Sequence, residues 1–204
     1  MGAQKGASGA RAVGSAAFQI LGICGSLRRA SYNRGLLRAA QELARQTTGG
    51  QVPSGVRIDA FGIGDLPLFN QDLEQDPPDP VVRLKAGIRK ADALLFATPE
   101  TNYSIPGVLK NAIDWASRPH GDNAFQHKPV AVMGASIGMS GTMRAQLALR
   151  HCFVFTDSYC LPQPECLVPN CTDKFDEDGN LTDQATKEHV RNLVVALVEW
   201  AKRF

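Results

Sequence analysis

Short, predominantly apolar runs alternate with segments of helical period about five times along this chain, and nothing else constrains its fold as strongly. Phe18–Cys24 (FQILGIC) is such a run, closed by Gly25, and Tyr32–Arg45 then places Leu36, Leu37, Ala40, Leu43 and Ala44 at helical spacing behind Ser31, a natural N-cap. Val56–Phe61 reads as a second strand, followed by a loop rich in Gly, Pro and Asp over 62–80. A helix is expected over 81–90, a buried strand over 93–98 (ALLFAT), and a helix over 106–117 that begins with a proline. A fourth strand over 129–134 (PVAVMG) precedes a helix over 142–151. A fifth strand is expected from 153–156 and the residues near Leu161, and an amphipathic helix over 183–204 closes the chain. Strands that are apolar throughout bury both faces, which implies a parallel sheet covered by helices on each side.

The 204 residues suffice for one α/β domain with a substantial core and are too few for two. Composition is that of an ordinary soluble protein, and a net charge of +2 lacks the basic excess expected of a nucleic-acid binder. Apolar stretches stay well under the ~20 residues needed to cross a bilayer, so no membrane segment is expected. The five cysteines (24, 152, 160, 166 and 171) are odd in number and form no Cys-x-x-Cys, which suits reduced thiols in the cytoplasm. His120, His127, His151 and His189 do not cluster with acids, so no metal is assigned. Asp173, Asp176, Glu177 and Asp178 before Gly179-Asn180 suggest calcium at first sight. Lys174 stands where the first ligand belongs, and the segment reads as a solvated turn. Residues 1–16 read as a flexible extension ahead of a domain over 17–204; Gly14 and Ser15 interrupt the apolar core that a signal peptide needs.

In parallel sheets, ligands bind beyond the carboxyl ends of strands where the strand order reverses. Three loops lie at such ends. Gly25 to Asn33 links a buried strand to the positive end of a helix, with Ser26, Arg28, Ser31 and Asn33 suited to an anion such as phosphate. It carries neither G-x-G-x-x-G nor the P-loop lysine. Pro99 to Gly107 is stiffened by two prolines, and its backbone edge suits a planar heterocycle, with Asn102 adding a donor and acceptor and Tyr103 a ring. Gly134 to Gly141 is built of small residues that allow close approach to the backbone. Each alone is also compatible with a plain turn; together they strengthen one another. Leu109, Ile113 and Trp115 read as core or subunit contacts, and Arg118, Arg144 and Arg150 as subunit contacts or solvated charges.

Gly25-Ser26-Leu27-Arg28-x-x-Ser31-x-Asn33, then Pro99-Glu100-x-Asn102-Tyr103-Ser104-x-Pro106-Gly107-x-Leu109-Lys110-Asn111-Ala112-x-Asp114-Trp115, resemble the NADPH-dependent FMN reductases, nearest their chromate and quinone reductase branch. The resemblance runs from about Phe18 to the C-terminus. It implies a three-layer, flavodoxin-like fold whose five-stranded parallel sheet has the order 2-1-3-4-5, with tightly bound FMN. On that basis Ser26, Arg28, Ser31 and Asn33 hold the FMN phosphate; Pro99, Glu100, Thr101, Asn102 and Tyr103 lie along the isoalloxazine; Ser136 and Gly138 close the ribityl or pyrimidine side. Thr101 departs from the tyrosine usual in the family, which alters access to the flavin face. Ile137 and Met139 also depart from it, near the nicotinamide pocket.

The implied activity takes hydride from NADPH or NADH and passes electrons to a small acceptor: a quinone, free flavin, chromate, or an azo or nitro compound. No side chain is assigned as catalytic, because the flavin carries the chemistry. The family also implies a homodimer or homotetramer, for which the exposed side of 106–115 is a candidate surface. The competing class is a flavodoxin-like electron carrier or flavin-binding module without nicotinamide turnover. Such carriers are often markedly acidic, unlike this chain. An NAD(P)-binding regulator is a further rival, weakened by the missing G-x-G-x-x-G.

Overall fold

The computed structural model describes residues 17–46 and 52–204; the expected extension over 1–16 lies outside the described residues. Six strands, β1 (Phe18–Cys24), β2 (Val56–Phe61), β3 (Ala93–Ala97), β4 (Pro129–Ala135), β5 (Tyr159–Cys160) and β6 (Cys166–Val168), alternate with helices α1 (Tyr32–Arg45), α2 (Asp79–Lys90), α3 (Gly107–Ala116), α4 (Met143–Phe155) and α5 (Gln184–Ala201). All pairings are parallel, in the order β2-β1-β3-β4-β5, with β6 also on β4.

Alternation of side chains across each strand sorts the core into two halves. Ile20, Ala93, Leu95, Ala131 and Met133 face α1 and α5, where they meet Leu36, Ala40, Val190, Val194 and Leu197. Leu21, Ile23, Leu94, Phe96, Val130 and Val132 face the other way, onto Leu84, Ile88, Leu109, Leu149 and Phe153 of α2, α3 and α4. Both faces being covered explains why β3 and β4 are buried at every position. No helix among the described residues is long and apolar enough to cross a membrane.

The expected 2-1-3-4-5 order is observed, but the sheet has six strands where five were expected. Two short strands share the place of the fifth: β5 pairs with the start of β4 (Pro129, Val130), and β6 with its end (Met133 to Ala135). Pro162 and Pro164 lie between them, and a proline has no N–H to offer a ladder. Residues 153–155, expected within that strand, belong instead to the last turn of α4. Burial explains the difference, since Phe153 packs at 5.1 Å from Phe96 and within 6.5 Å of Phe125, while Phe155 is 79% exposed. A strand would have placed both rings on the same side.

Candidate active site

The order β2-β1-β3-β4 reverses between β1 and β3, so the loops that follow β1, β3 and β4 converge on one edge of the sheet. Backbone hydrogen bonds tie their roots together. Gly25 N–H donates to the Ala97 carbonyl at 2.9 Å, and Thr98 N–H to the Met133 carbonyl at 3.0 Å. At Gly134 a Cβ would lie 2.0 Å from Thr142 Oγ1 and 2.5 Å from the Thr98 carbonyl, so only glycine allows the chain crossing there.

In the first loop Ser26 Oγ accepts from Arg28 N–H at 3.3 Å, which closes a tight turn. Ser31 sits at the N-cap of α1 in extended conformation, yet its hydroxyl makes no cap bond, and the first turn of α1 holds no acid. The positive end of the helix is thus left open beside the exposed Arg28. α5, by contrast, is closed by Asp183, whose carboxylate accepts from Thr186 N–H at 2.7 Å. Asn33 is buried, and its carboxamide is engaged at both ends. Nδ2 donates to the Ala135 carbonyl at 3.0 Å, and Oδ1 accepts from Ala135 N–H at 2.9 Å. It braces the first loop against the third.

In the second loop Thr101 and Ser104 exchange both backbone bonds, at 2.9 and 3.0 Å, around a two-residue turn. Asn102 (φ +49°) and Tyr103 (φ +66°) both occupy the left-handed region, as a type I′ turn demands. For tyrosine that conformation is uncommon, and such backbone gathers at ligand sites. The N–H groups of Glu100 and Asn102 make no hydrogen bond among the described residues, and Thr101, Asn102 and Tyr103 are exposed.

Glu100 acts elsewhere than its sequence position suggests. Its carboxylate is 8% exposed and closes the N-terminus of α4, accepting from Arg144 N–H at 3.1 Å and from Ala145 N–H at 3.4 Å. The Arg144 guanidinium donates to it at 2.6 Å through Nε, and Ser140 Oγ contacts it at 3.4 Å. Burial by itself would raise this carboxyl, but the Arg144 hydrogen bond and those from the backbone outweigh it and hold it below the usual carboxylate range. Arg144 also lies 3.8 Å from the centroid of the Tyr103 ring, so one arginine links α4 to both ends of the turn. Sequence reading left Arg144 as a subunit contact or a solvated charge; the structure places it inside the site. The signal was available in principle: a cation in the first turn of a helix opposes the dipole and calls for an acid from elsewhere.

In the third loop Ser136 Oγ accepts from Gly138 N–H at 3.1 Å, and Ser136 N–H donates to the Val168 carbonyl of β6 at 3.0 Å. Ile137, Met139 and Tyr103 are 70%, 87% and 73% exposed, an apolar rim around this edge. Thr142 is buried in left-handed conformation, and its Oγ1 accepts from Gln146 at 3.2 Å. Trp115 is fully buried, with its indole N–H on the Pro67 carbonyl at 2.8 Å; it belongs to the core.

All eleven sequence-predicted residues therefore lie on three neighbouring loops or the first turn of α1. The edge offers an uncapped helix end, a free guanidinium, hydroxyls and unpaired backbone N–H groups. Its one carboxylate, Glu100, is already neutralised. Such a donor set suits a ligand with a phosphate at one end and a hydrogen-bonding heterocycle at the other, and FMN has that form.

A family model of NADPH-dependent FMN reductases matches residues 18–173. An NAD(P)H-dependent FMN reductase of Pseudomonas aeruginosa is 45% identical over 91% of this chain and 96% of its own length. A quinone reductase of Pseudomonas putida is 41% identical over 92% of this chain and 97% of its own. Among solved structures, the flavoenzyme NAD(P)H:(acceptor) oxidoreductase FerB of Paracoccus denitrificans superimposes with a TM-score of 0.80 at 37% identity, over 91% of this chain and 97% of its own.

Proposed function

This chain belongs to the NADPH-dependent FMN reductase family, and from that premise we propose that it oxidises a reduced nicotinamide and delivers the electrons through FMN to a small acceptor such as a quinone. Residues 17–204 act as one FMN-binding domain. The observation that carries this reading is the convergence of three loops on one sheet edge, with donors at both ends and no free acid between them.

Ser26, Arg28 and Ser31 hold the phosphate against the open end of α1. Asn33 positions this loop through Ala135. The backbone at Pro99–Tyr103 lies along the isoalloxazine, and the free N–H groups of Glu100 and Asn102 oppose negative charge there. Glu100 and Arg144 keep that backbone in shape, and Ser136 with Gly138 closes the third side. When bound, FMN supplies the hydride and electron transfer itself. No thiol is poised for catalysis: all five cysteines are free, and burial pushes every thiol up, that of Cys166 to about 12. Free, unactivated thiols also suit the reducing cytoplasm, where we place the protein.

We further infer self-association, as dimer or tetramer. The exposed side of α3, the surface first considered, carries the Lys110–Asp114 ion pair. The outer side of α4 instead exposes Met143, Leu147 and Val154, and Phe155 follows at its end.

An absorbance spectrum of the purified protein after FMN titration, followed by anaerobic NADPH and then a quinone, tests the function. FMN binds, its bands bleach with NADPH, and they return with the quinone. Arg28→Ala lowers FMN affinity about tenfold or more, the scale of one charge-assisted contact. Bands that stay oxidised under NADPH and NADH would favour an electron carrier, and no FMN uptake would sink the site assignment.

A further inference from the structure

A cavity of about 270 Å³ opens beside the first loop, between α1 and the segment after β2. Its walls include Leu27, Phe61 and Ile63, and its charges are Arg34 and Arg38, one helical turn apart on α1. No acid lines it. Arg34 spends only Nε, on the Ser26 carbonyl at 3.3 Å, and its terminal nitrogens have no partner among the described residues. Arg38 donates to the Asp178 and Gly179 carbonyls, while its Nε is buried without a partner among the described residues. Two guanidiniums at (i, i+4) repel each other, and a buried N–H without an acceptor is unfavourable. A dianion beside them would relieve the repulsion.

We propose that this cavity receives the 2′-phosphate and adenine of NADPH, and so sets a preference for NADPH over NADH. The inference rests on the reductase reading above. Where a 2′-hydroxyl is selected at the end of a second strand, a carboxylate normally accepts its proton; an arginine there suits a 2′-phosphate. Here β2 ends in Phe61-Gly62, and its acid, Asp59, is paired with Arg57 at 2.8 Å. Leu27 and Phe61 supply the apolar walls that a purine needs. From the end of β2 to the loops after β3 and β4 is two to three strand spacings, about 10–15 Å. An extended dinucleotide bridges that distance.

The test is calorimetric titration of the FMN-loaded protein with 2′,5′-ADP, 5′-AMP and inorganic phosphate. The wild type binds 2′,5′-ADP about tenfold or more tightly than 5′-AMP and than phosphate. In Arg34→Gln and Arg38→Gln the difference shrinks to about threefold or less, Arg34→Lys recovers part of it, and FMN content is unchanged. Steady-state kinetics follow: KM for NADPH rises in the glutamine variants, and KM for NADH does not. Equal binding of 2′,5′-ADP and 5′-AMP by the wild type would overturn the proposal. So would a preference that survives in both glutamine variants, phosphate binding as tight as 2′,5′-ADP, or release of FMN by 2′,5′-ADP. Retained 2′,5′-ADP selectivity in a protein that oxidises neither nicotinamide would refute the reductase reading and leave the phosphate site standing.

Discussion

Arg144 and Glu100 show how one ion pair organises a site from residues far apart in sequence. The carboxylate stands where the α4 dipole is positive, and the guanidinium, unfavourable at that end by itself, is bound to it and laid on Tyr103. Because the Glu100 carboxyl is held below the ordinary 4.5, the unfolded chain binds more protons than the native one as acid is added. Its contribution is therefore complete above about pH 4.5 and is lost as pH falls through the native value. Replacing Glu100 with Gln lowers stability at neutral pH by about 1.5–3 kcal/mol, the scale of hydrogen bonds to a charged group. It also flattens the acid limb of a urea-midpoint-against-pH curve; parallel wild-type and variant curves would mean that the carboxylate is not the group responsible. Arg144 in the first turn of a helix calls for an acid, but nothing local names which one. The two lie 44 residues apart, and Glu100 stood out only as part of a loop motif.

At the level of elements, α4 is the instructive one. Its first two turns were legible from their period, whereas the residues after His151 are apolar enough to pass for a strand. Helix and strand differ in what they do with Phe153 and Phe155. Two residues apart, the rings share one side of a strand but diverge by roughly 200° on a helix. Phe153→Ala accordingly costs about 3–5 kcal/mol through the cavity left against Phe96 and Phe125. Phe155→Ala costs under about 0.5 kcal/mol in the same denaturant titration, since its ring is exposed. Equal losses at the two positions would contradict the helical assignment. The split of the last strand has the same origin. Tyr159–Cys160 and Cys166–Val168 are strands because β4 offers them a free edge, and Pro162 and Pro164 interrupt the ladder between.

For the whole molecule, the exposed apolar side of α4 is the surface that water leaves unsettled. Analytical ultracentrifugation is expected to show a dimer or tetramer, and Leu147→Glu with Val154→Glu to shift it towards monomer. A wild-type monomer at tens of micromolar would refute the assignment. The parallel sheet and its two helical layers were readable in the linear chain because a strand covered on both faces is largely apolar, and each such run carries its own boundary residues; the strand order came only from the resemblance to the family. The cluster of donors in the first loop was readable for a similar reason, since Ser26, Arg28 and Ser31 sit within a few residues of one helix start. What folding alone brought together has no local pattern. Asn33 reaches Ala135 across 102 residues, Glu100 closes a helix it precedes by a whole helix and strand, and the two arginines of the cavity beside the first loop acquire their walls only when α1 packs beside β2. Periodicity reports burial, which each segment experiences separately, whereas a hydrogen bond or a cavity belongs to two segments at once and exists only after they meet.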